Sequence, residues 1–295
     1  MRVNPDLSST LLASLAENRR REDEALREVS SGQKLNSISE DPAAVASLIG
    51  NRMQSSATDQ FLQNISNLRS SLQVADSTLN SVILALTRAI SLGTEGANGT
   101  LTLEDRQAIA EEVKGLQDQL LSLANTSFQS VYLFAGTAVT SLPFTADASS
   151  TSGVSYVGNT GVNAVEITEG QAVPVNLPGS QIFTQPGNDV FQALHDLAQA
   201  LDSGGDIEGA TQEVQQAFNF VNTQRSFYGS TLARLNTAEL FLNQEKLELS
   251  TSESNLLGAD MAEAASNLVQ AENTLNATLA AGARISQLSL LDYLK

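Results

Sequence analysis

Hydrophobic residues return every seven positions along the second half of the chain. The repeat has no polar member through Ile207, Val214, Val221, Tyr228, Leu235, Leu242, Leu249 and Leu256. A seven-residue apolar repeat keeps one stripe of a helix facing a partner, which is the condition for a coiled coil. The positions three residues further on are mostly small or polar, so the predicted seam is narrow. At about 1.5 Å per residue, residues 207–256 would form a helical rod of roughly 75 Å.

A helix of matching length is predicted in the first half of the chain. Its apolar positions alternate in steps of four and three residues through Phe61, Ile65, Leu68, Leu72, Ala75, Leu79, Val82, Leu86 and Ala89. Pro42 suits the first turn of this helix and Asp41 suits its N-cap, so we predict a helix over residues 43–91. One such stripe is typical of an ordinary helical bundle. Several long stripes in one chain favour an elongated bundle shared between subunits.

A third helix is predicted to follow a short turn. Thr102 and Asp105 have the spacing of a capping box, and the apolar rhythm then continues through Ile109, Val113, Leu116, Leu120 and Leu123. The glycine-containing stretch 93–99 follows no strand and holds no lysine, so it does not fit a phosphate-binding loop. We interpret it as the turn between two antiparallel helices.

The middle of the chain has a different hydrophobic pattern and composition. Helical periodicity is lost from residue 136 to residue 187, and four of the six prolines fall in this stretch. Residues 154–157 and 164–167 alternate as half-buried strands do, with a turn signal at 158–161 between them, and residues 173–175 suit an edge strand because of Pro174. Asn188 is predicted to cap a returning helix whose inner face is Val190, Phe191, Leu194, Leu197 and Leu201.

Both chain ends are predicted to be helical, with sparse, alanine-rich stripes. The N-terminal stripe holds Leu12, Leu15, Leu26 and Val29, with Arg19 and Glu22 in the same seam, and Gly32 suits the C′ position that ends this helix. Burying one leucine contributes roughly 1.5–3 kcal/mol, whereas ordering the backbone of each residue costs about 1–2 kcal/mol. We therefore expect both ends to be disordered in a monomer and to fold on packing against neighbours.

These patterns predict a mainly α protein with a small β insertion. The expected architecture is an elongated antiparallel helical bundle or coiled coil built from both chain ends, plus a central β domain. The predicted domain bounds are 1–41 (terminal helix and connector), 42–135 (rod segments), 136–187 (β domain), 188–258 (returning helix and long rod) and 259–295 (terminal helix).

Composition excludes several classes of function. The 295 residues carry a net charge of −17 and no cysteine, which excludes disulfides and thiolate metal sites and disfavours binding to nucleic acid phosphates. The basic cluster at residues 19–21 is followed at once by three acidic residues, so we expect a solvated, salt-bridged face. No apolar run is long enough to predict a transmembrane helix.

Enzymatic chemistry is not predicted. His195 is the chain's single histidine, so any acid–base scheme would have to use it. It falls beside Asp196 and off the predicted apolar face of its helix, and no metal-ligand spacing surrounds it. We expect an exposed, structural histidine, with neither a catalytic site nor a cofactor or metal site.

Three motifs, in order along the chain, resemble signatures of the bacterial flagellin superfamily. Residues 28–44 (EVSSGQKLNSISEDPAA) resemble its N-terminal signature, residues 125–128 (NTSF) the loop that ends the first helical half, and residues 260–268 (DMAEAASNL) the start of the C-terminal helix. The resemblance covers nearly the whole chain. It implies a structural subunit of an extracellular flagellar tube, with terminal helices inside and a β domain projecting outward.

Several features resemble the hook–filament junction members of this superfamily more than its filament flagellins. These are Pro42, residues 132–136 (YLFAG), residues 173–183 (VPVNLPGSQIF) and the ending 288–295 (LSLLDYLK). The resemblance implies secretion through the flagellum's type III channel and a ring-like homo-oligomer that contacts the other hook-associated junction protein and flagellin. Filament flagellin is the nearest alternative, and a cytoplasmic helical signalling or adaptor module is a distant one.

The resemblance also implies an export chaperone that holds the C-terminal segment. We place that contact, and the assembly contacts of the same helix, on one apolar stripe: Met261, Leu268, Leu275, Leu279, Ile285, Leu288 and Leu291.

Overall fold

The protein is mainly helical with a small β insertion, as the sequence predicted. The structure, a computed structural model, describes residues 5–35 and 40–293, and the side chains of residues 5–8 and 285–293 lie outside the described part. The helices are α1 Pro5–Ser31, α2 Pro42–Gly96, α3 Leu103–Ala124, α4 Gly179–Ile182, α5 Val190–Ser203, α6 Ile207–Leu257 and α7 Met261–Tyr293. The strands are β1 Ser127–Phe128, β2 Val131–Tyr132, β3 Phe144–Ala146, β4 Val154–Tyr156, β5 Ala164–Thr168, β6 Gln171–Pro174, β7 Thr184–Gln185 and β8 Asn188–Asp189.

The chain forms two compact units. The terminal unit comprises residues 1–57 and 244–295, and the central unit comprises residues 58–243. The divisions therefore fall inside α2 and α6, whereas the sequence suggested divisions at the ends of these helices. Residues 136–187 belong to the central unit, whose interior they share.

One continuous core fills the central unit. On α2 it contains Ile65, Leu72, Ala75, Leu79, Val82, Leu86 and Ala89, while Phe61 and Leu68 are partly buried against it. On α6 it contains Ile207, Val214, Val221, Tyr228, Leu235 and Leu242. Two ion pairs flank this seam: Arg69 with Glu239, and Arg225 with Asp76 at 2.7 Å. Burial of the predicted seam positions therefore organises this unit.

Local signals at the helix ends behave as predicted. Asp41 Oδ1 accepts hydrogen bonds from the N–H groups of Ala43 and Ala44, both at 3.0 Å. Thr102 and Asp105 form the full capping box at the start of α3. The predicted end of α2 at residue 91 was wrong, because the helix continues to Gly96, whose missing side chain leaves room for Leu201.

The β region consists of four two-stranded antiparallel hairpins. The predicted strands near 154, 164 and 173 are present as β4, β5 and β6. β4 pairs with β3, and β5 pairs with β6, so the turn signal at 158–161 connects two different hairpins. The hairpins β1–β2 and β7–β8 and the short helix α4 were not predicted. Strands of two residues are too short to show alternation.

An aromatic cluster joins these hairpins to the helices. The fully buried rings are Phe134, Phe144, Phe183 and Phe191. Phe144 packs edge-on against Phe183 at 5.6 Å between ring centroids and contacts Tyr156 at 5.0 Å. Asn125 fixes the backbone beside this cluster, because its side-chain amide exchanges two 2.9 Å hydrogen bonds with Phe144.

The prediction that Asn188 caps the returning helix was wrong by one residue. Asn188 pairs with Gln185 in the β7–β8 hairpin, and the side chain of Asp189 instead accepts a hydrogen bond from the Gln192 N–H at 2.9 Å. The predicted inner face of this helix is fully buried. His195 is half-buried rather than exposed.

Gly179 is expected to tolerate no side chain. A Cβ atom there would lie 2.6 Å from the Phe144 ring and 2.9 Å from the Phe134 carbonyl oxygen. Gly179→Ala should therefore destabilise the central unit by about 1–3 kcal/mol. The matched control is Gly229→Ala, since no heavy atom lies within 4 Å of a Cβ at that helical position. The control should stabilise by about 0.5–1 kcal/mol.

Urea unfolding followed by tyrosine fluorescence would measure both changes, because Tyr132, Tyr156 and Tyr228 all lie in the central unit. Equal unfolding midpoints for the two variants would show that the close approach at Gly179 does not constrain the fold.

Asp189 is expected to give the central unit a pH-dependent stability. Burial raises the pKa of Asp189, opposed by hydrogen bonds from backbone N–H groups, and the nearby Asp196 charge raises it further. A carboxyl whose folded-state pKa lies above its unfolded value contributes stability at low pH that is lost as pH rises through the folded pKa. Asp189→Asn keeps the capping oxygen and removes the buried charge.

We expect the Asp189→Asn variant to be at least as stable as the parent at neutral pH, with a flatter stability profile from about pH 4 upward. Urea midpoints measured across that range would check this. Asp189→Ala, which loses the cap, should instead cost about 1 kcal/mol. Superimposable pH profiles for the parent and Asp189→Asn would contradict the assignment.

Candidate assembly surface

The terminal unit pairs the two ends of the chain. Helices α1 and α7 lie side by side with Cα atoms of the two helices within 8 Å of each other. The two helices are antiparallel. Asn18 donates a hydrogen bond to Thr278, and the Leu11 side chain would lie 3.1 Å from a Cβ atom built on Gly282. We call α1 and α7 the terminal helix pair.

The pair meets along two stripes of heptad spacing. On α1 the less exposed positions are Leu11, Leu15, Asn18, Glu22, Ala25 and Val29. On α7 they are Ala264, Leu268, Ala271, Leu275, Thr278 and Gly282. Four of these positions are small residues, which leave little side-chain volume between the two backbones: Ala25, Ala264, Ala271 and Gly282.

Two of the four apolar positions in the predicted α1 stripe were wrong by one residue. Leu15 and Val29 face α7, but Leu12 and Leu26 are 65% and 53% exposed. Ala25 is buried beside α7, where it allows a closer contact than the neighbouring Leu26 would. Sequence reasoning missed this because adjacent apolar residues fit the same period equally well.

The predicted C-terminal stripe does not form one face. Leu268 and Leu275 lie toward α1, whereas Met261 and Leu279 are exposed. Val269, which the sequence did not single out, is also exposed. The side chains of Ile285, Leu288 and Leu291 lie outside the described residues. The role of the stripe in assembly or chaperone binding stays a prediction.

A short backbone bridge joins the two ends of the chain below this pair. Gln33 and Gly258 form an isolated antiparallel β-bridge. The Lys34 N–H donates to the Leu257 carbonyl at 2.8 Å, and the Ala259 N–H donates to the Gly32 carbonyl at 3.0 Å. The end of α1 and the turn between α6 and α7 are therefore held at one level.

Gly32 has the role that the sequence predicted. Its φ of +67° is the left-handed conformation typical of a C′ glycine, and its N–H donates to the Glu28 carbonyl at 2.9 Å. Asp260 caps the start of α7 by accepting from the N–H groups of Ala262 and Glu263. Both helix ends are thus specified by local sequence.

Polar side chains connect the parts of α2 and α6 that lie in the terminal unit. Asn51 donates to Ser252 at 2.9 Å, and Gln54 donates to Glu245 at 3.0 Å. Leu249, a predicted seam residue, is only half-buried here. Large apolar side chains instead face outward at Ile49, Met53 and Leu247.

Charged residues of α1 form a solvated network. Arg20 pairs with Glu17 at 2.8 Å and with Glu24 at 2.5 Å, and Arg21 also pairs with Glu17 at 3.0 Å. Hydrogen bonds from Arg20, and then from Arg21, lower the pKa of Glu17 to about 2. The sequence predicted a salt-bridged face here, although it did not identify Glu17 as the shared partner.

The terminal unit has almost no hydrophobic interior. Among its described side chains, at residues 9–35, 40–57 and 244–284, the buried apolar ones are Ala25, Leu48 and Ala264. Its larger apolar side chains are half-buried or exposed. These exposed apolar side chains are available for contact with another protein.

No group of three or more His, Cys, Asp or Glu side chains among the described residues could hold a metal ion. No helix in the described part is long and apolar enough to cross a membrane.

Comparison with known proteins identifies the family. The model of the bacterial flagellin N-terminal helical region matches residues 6–139, and that of the C-terminal helical region matches residues 211–294. Together the two matches span almost three quarters of the chain. The chain belongs to the bacterial flagellin family.

Relatives of this flagellin-family chain include both junction and filament proteins. It is 24% identical over 294 residues to flagellar hook-associated protein 3 of Escherichia coli K12, with 91% of each chain covered. It is 25% identical over 277 residues to a flagellin of Listeria monocytogenes, covering 92% of this chain and 90% of the relative.

Solved structures share the fold. The flagellar junction protein FlgL of Legionella pneumophila matches with a TM-score of 0.63 at 16% identity, over 72% of this chain and all of that one. FlgL of Xanthomonas campestris matches with a TM-score of 0.60 at 20% identity, over 68% of this chain and 98% of that one.

The terminal segments of this flagellin-family chain should be weakly protected in the monomer. With three buried apolar side chains in the described part of the terminal unit, the chain cannot offset the entropy of ordering α1 and α7. We expect their amides to exchange with deuterium rapidly in dilute monomer and slowly in the assembled state. Hydrogen exchange read by mass spectrometry would measure this.

Amides of α3, which is packed on the core of the central unit, provide the internal control. Protection of α1 and α7 in the monomer as strong as that of α3 would contradict the expectation.

Proposed function

We propose that this chain is a structural subunit of the bacterial flagellum, located at the junction between the hook and the filament. There it forms a ring-like homo-oligomer and seats the first flagellin subunits. Its role is structural and requires neither catalysis nor a cofactor.

The observation that carries this proposal is the scarcity of buried apolar side chains in the described part of the terminal unit. Its buried apolar side chains are Ala25, Leu48 and Ala264, whereas Leu12, Met53 and Val269 face outward. A unit of this composition gains stability by placing its outer face against neighbouring subunits. Self-assembly satisfies that requirement, since every copy brings the same surface.

Family membership narrows the kind of assembly. The E. coli relative named flagellar hook-associated protein 3 aligns along nearly the full length of both chains. The fold is also that of solved junction proteins. Both observations favour the junction over the filament, although the Listeria flagellin aligns over a similar length.

The proposal includes the route and the partners of the subunit. It is secreted through the type III channel of the flagellum and contacts the other hook-associated junction protein on one side and flagellin on the other. Before export, a chaperone holds the C-terminal segment. The exposed Met261 and Leu279 support a chaperone contact on α7, whereas Leu268 and Leu275 become available only when α7 leaves α1.

Deleting the gene tests the location. A strain without a junction subunit should assemble hooks that carry no filament and should release flagellin monomers into the medium. A strain without a filament flagellin should keep hooks with their junction proteins and release none. Electron microscopy of the cells and immunoblotting of the medium distinguish the two outcomes, with the reintroduced gene as the control.

Gold-labelled antibody against the chain provides the second measurement. Label in a narrow band at the distal end of the hook supports the proposal. Label along the whole filament would establish the filament alternative, and label confined to the cytoplasm would overturn the flagellar assignment.

A further inference from the structure

Two neighbouring large apolar side chains on α6 face solvent within the central unit. Leu240 is 66% exposed and Phe241 is 62% exposed, although Leu235, Ala238 and Leu242 on the same helix are buried. Leu240 therefore lies on the face of α6 opposite the core seam, whereas Phe241 lies at the side of the seam, three residues after the buried Ala238. Nothing in the packing of the central unit explains them.

Phe241 borders a depression of about 480 Å³ between α6 and the β5–β6 hairpin. Its lining residues are Thr168, Gln171, Ala233, Arg234, Thr237, Ala238 and Phe241. An aromatic ring and an arginine at the edge of one concavity form the residue combination that is enriched where proteins bind each other.

Arg234 is an exposed cation without an ion pair in an acidic unit. Residues 58–243, all of which the structure describes, contain 18 acidic and six basic residues. Four of the six basic residues, Arg69, Arg88, Lys114 and Arg225, hold ion pairs within the unit. Arg106 is half-buried against Gly204, which leaves Arg234 exposed and without an ion pair.

We propose that this depression binds an acidic surface of a second copy of the chain. Leu240 and Phe241 lose solvent contact against the incoming copy, and the Arg234 guanidinium pairs with one of its carboxylates. The inference rests on the proposed function and deepens it, because it names a surface through which copies of the subunit meet.

Charge identifies the occupant. Each copy carries a net charge of −17, so two copies brought side by side repel unless a cation lies at their contact. Within the central unit Arg234 is the exposed residue that supplies such a cation, next to apolar surface that gains from burial. Electrostatic complementarity of this type fixes register and suppresses contacts in which like charges oppose each other.

Charge also restricts where the partner carboxylate lies. No acidic side chain lines the depression. A contact of the depression with itself would therefore oppose two Arg234 guanidinium groups. The carboxylate must come from outside the depression of the second copy.

Site-specific photo-cross-linking tests the proposal. Phe241 is replaced by p-benzoylphenylalanine in the full chain, expressed in cells that lack the native gene, and isolated flagella are irradiated. The expected product is a homodimer whose cross-linked peptide carries exposed Asp or Glu and lies outside residues 233–241. The same replacement at Asn222, which is also exposed on α6, is the positional control and should give at most a tenth of that product.

Variants of Arg234 add a charge readout. Arg234→Glu should reduce the homodimer cross-link at least tenfold, and Arg234→Lys should retain most of it. Because Arg234 has no ion pair within the central unit, both variants should unfold in urea at the parent midpoint, which separates lost docking from lost folding. A homodimer yield that does not respond to Arg234→Glu would overturn the charge pairing.

Each remaining outcome is decisive. Cross-links from Phe241 to a different flagellar protein, or no cross-link in flagella that contain the chain, would overturn the second copy as occupant. Immunoblotting before irradiation reports separately whether the chain is in flagella. If the chain is absent from flagella, the proposed function fails. Docking is then tested with the concentrated, purified full chain. A homodimer that depends on Arg234 supports the docking proposal, and a chain that stays monomeric overturns it.

Discussion

Burial of the apolar seam shared by α2 and α6 is the interaction on which the central unit depends. The seam residues on both helices belong to the same core as the returning helix α5 and the aromatic cluster of the hairpins. The hairpins are too short to be stable alone, since an isolated two-stranded sheet is at best marginally stable in water. Phe144 and Phe183 attach them to the helices, so the β region depends on the seam as well.

The terminal unit lacks an equivalent interaction, and its organisation follows from that. Backbone hydrogen bonds at Gly32, Lys34 and Ala259 hold the ends of α1 and α6 and the start of α7 together. The Asn18–Thr278 hydrogen bond favours one alignment of α1 against α7, because a polar pair within a mainly apolar stripe disfavours other registers. Polar and backbone contacts thus define the arrangement, while the apolar side chains that would stabilise it remain available to other molecules.

Much of the helical fold could be predicted from the sequence because the signals that specify a helix lie within a few residues of one another. Heptad spacing identified the buried positions of α2 and α6, and Asp41, Thr102 and Gly32 marked helix ends through contacts within a few residues. The hairpins could not be predicted in the same way. The β1–β2 turn places Gln129 and Ser130 at positive φ without the Asn-Gly signal of such turns, and its conformation depends on tertiary packing.

The candidate surface was predictable in kind but not in detail. Sparse stripes indicated that the ends have little to bury. Which of two adjacent apolar residues turns outward depends on the closest approach of α1 and α7, as Ala25 and Leu26 show. The exposure of Leu240 and Phe241 was not predicted for a related reason. The heptad spacing through Leu235 and Leu242 identifies the buried face of the helix and carries no information on the other faces.

The distribution of charge fits the same division of roles. The terminal unit holds 15 acidic and ten basic residues, whereas the central unit holds 18 acidic and six basic ones. Interspersed charges of both signs, as in the Glu17–Arg20–Glu24 network, let helices from different copies approach without strong repulsion. The excess negative charge of the central unit keeps monomers with exposed apolar side chains apart in solution. The same excess then requires that contacts between central units include a cation, so the unpaired Arg234 acquires an importance that a single surface arginine would not otherwise have.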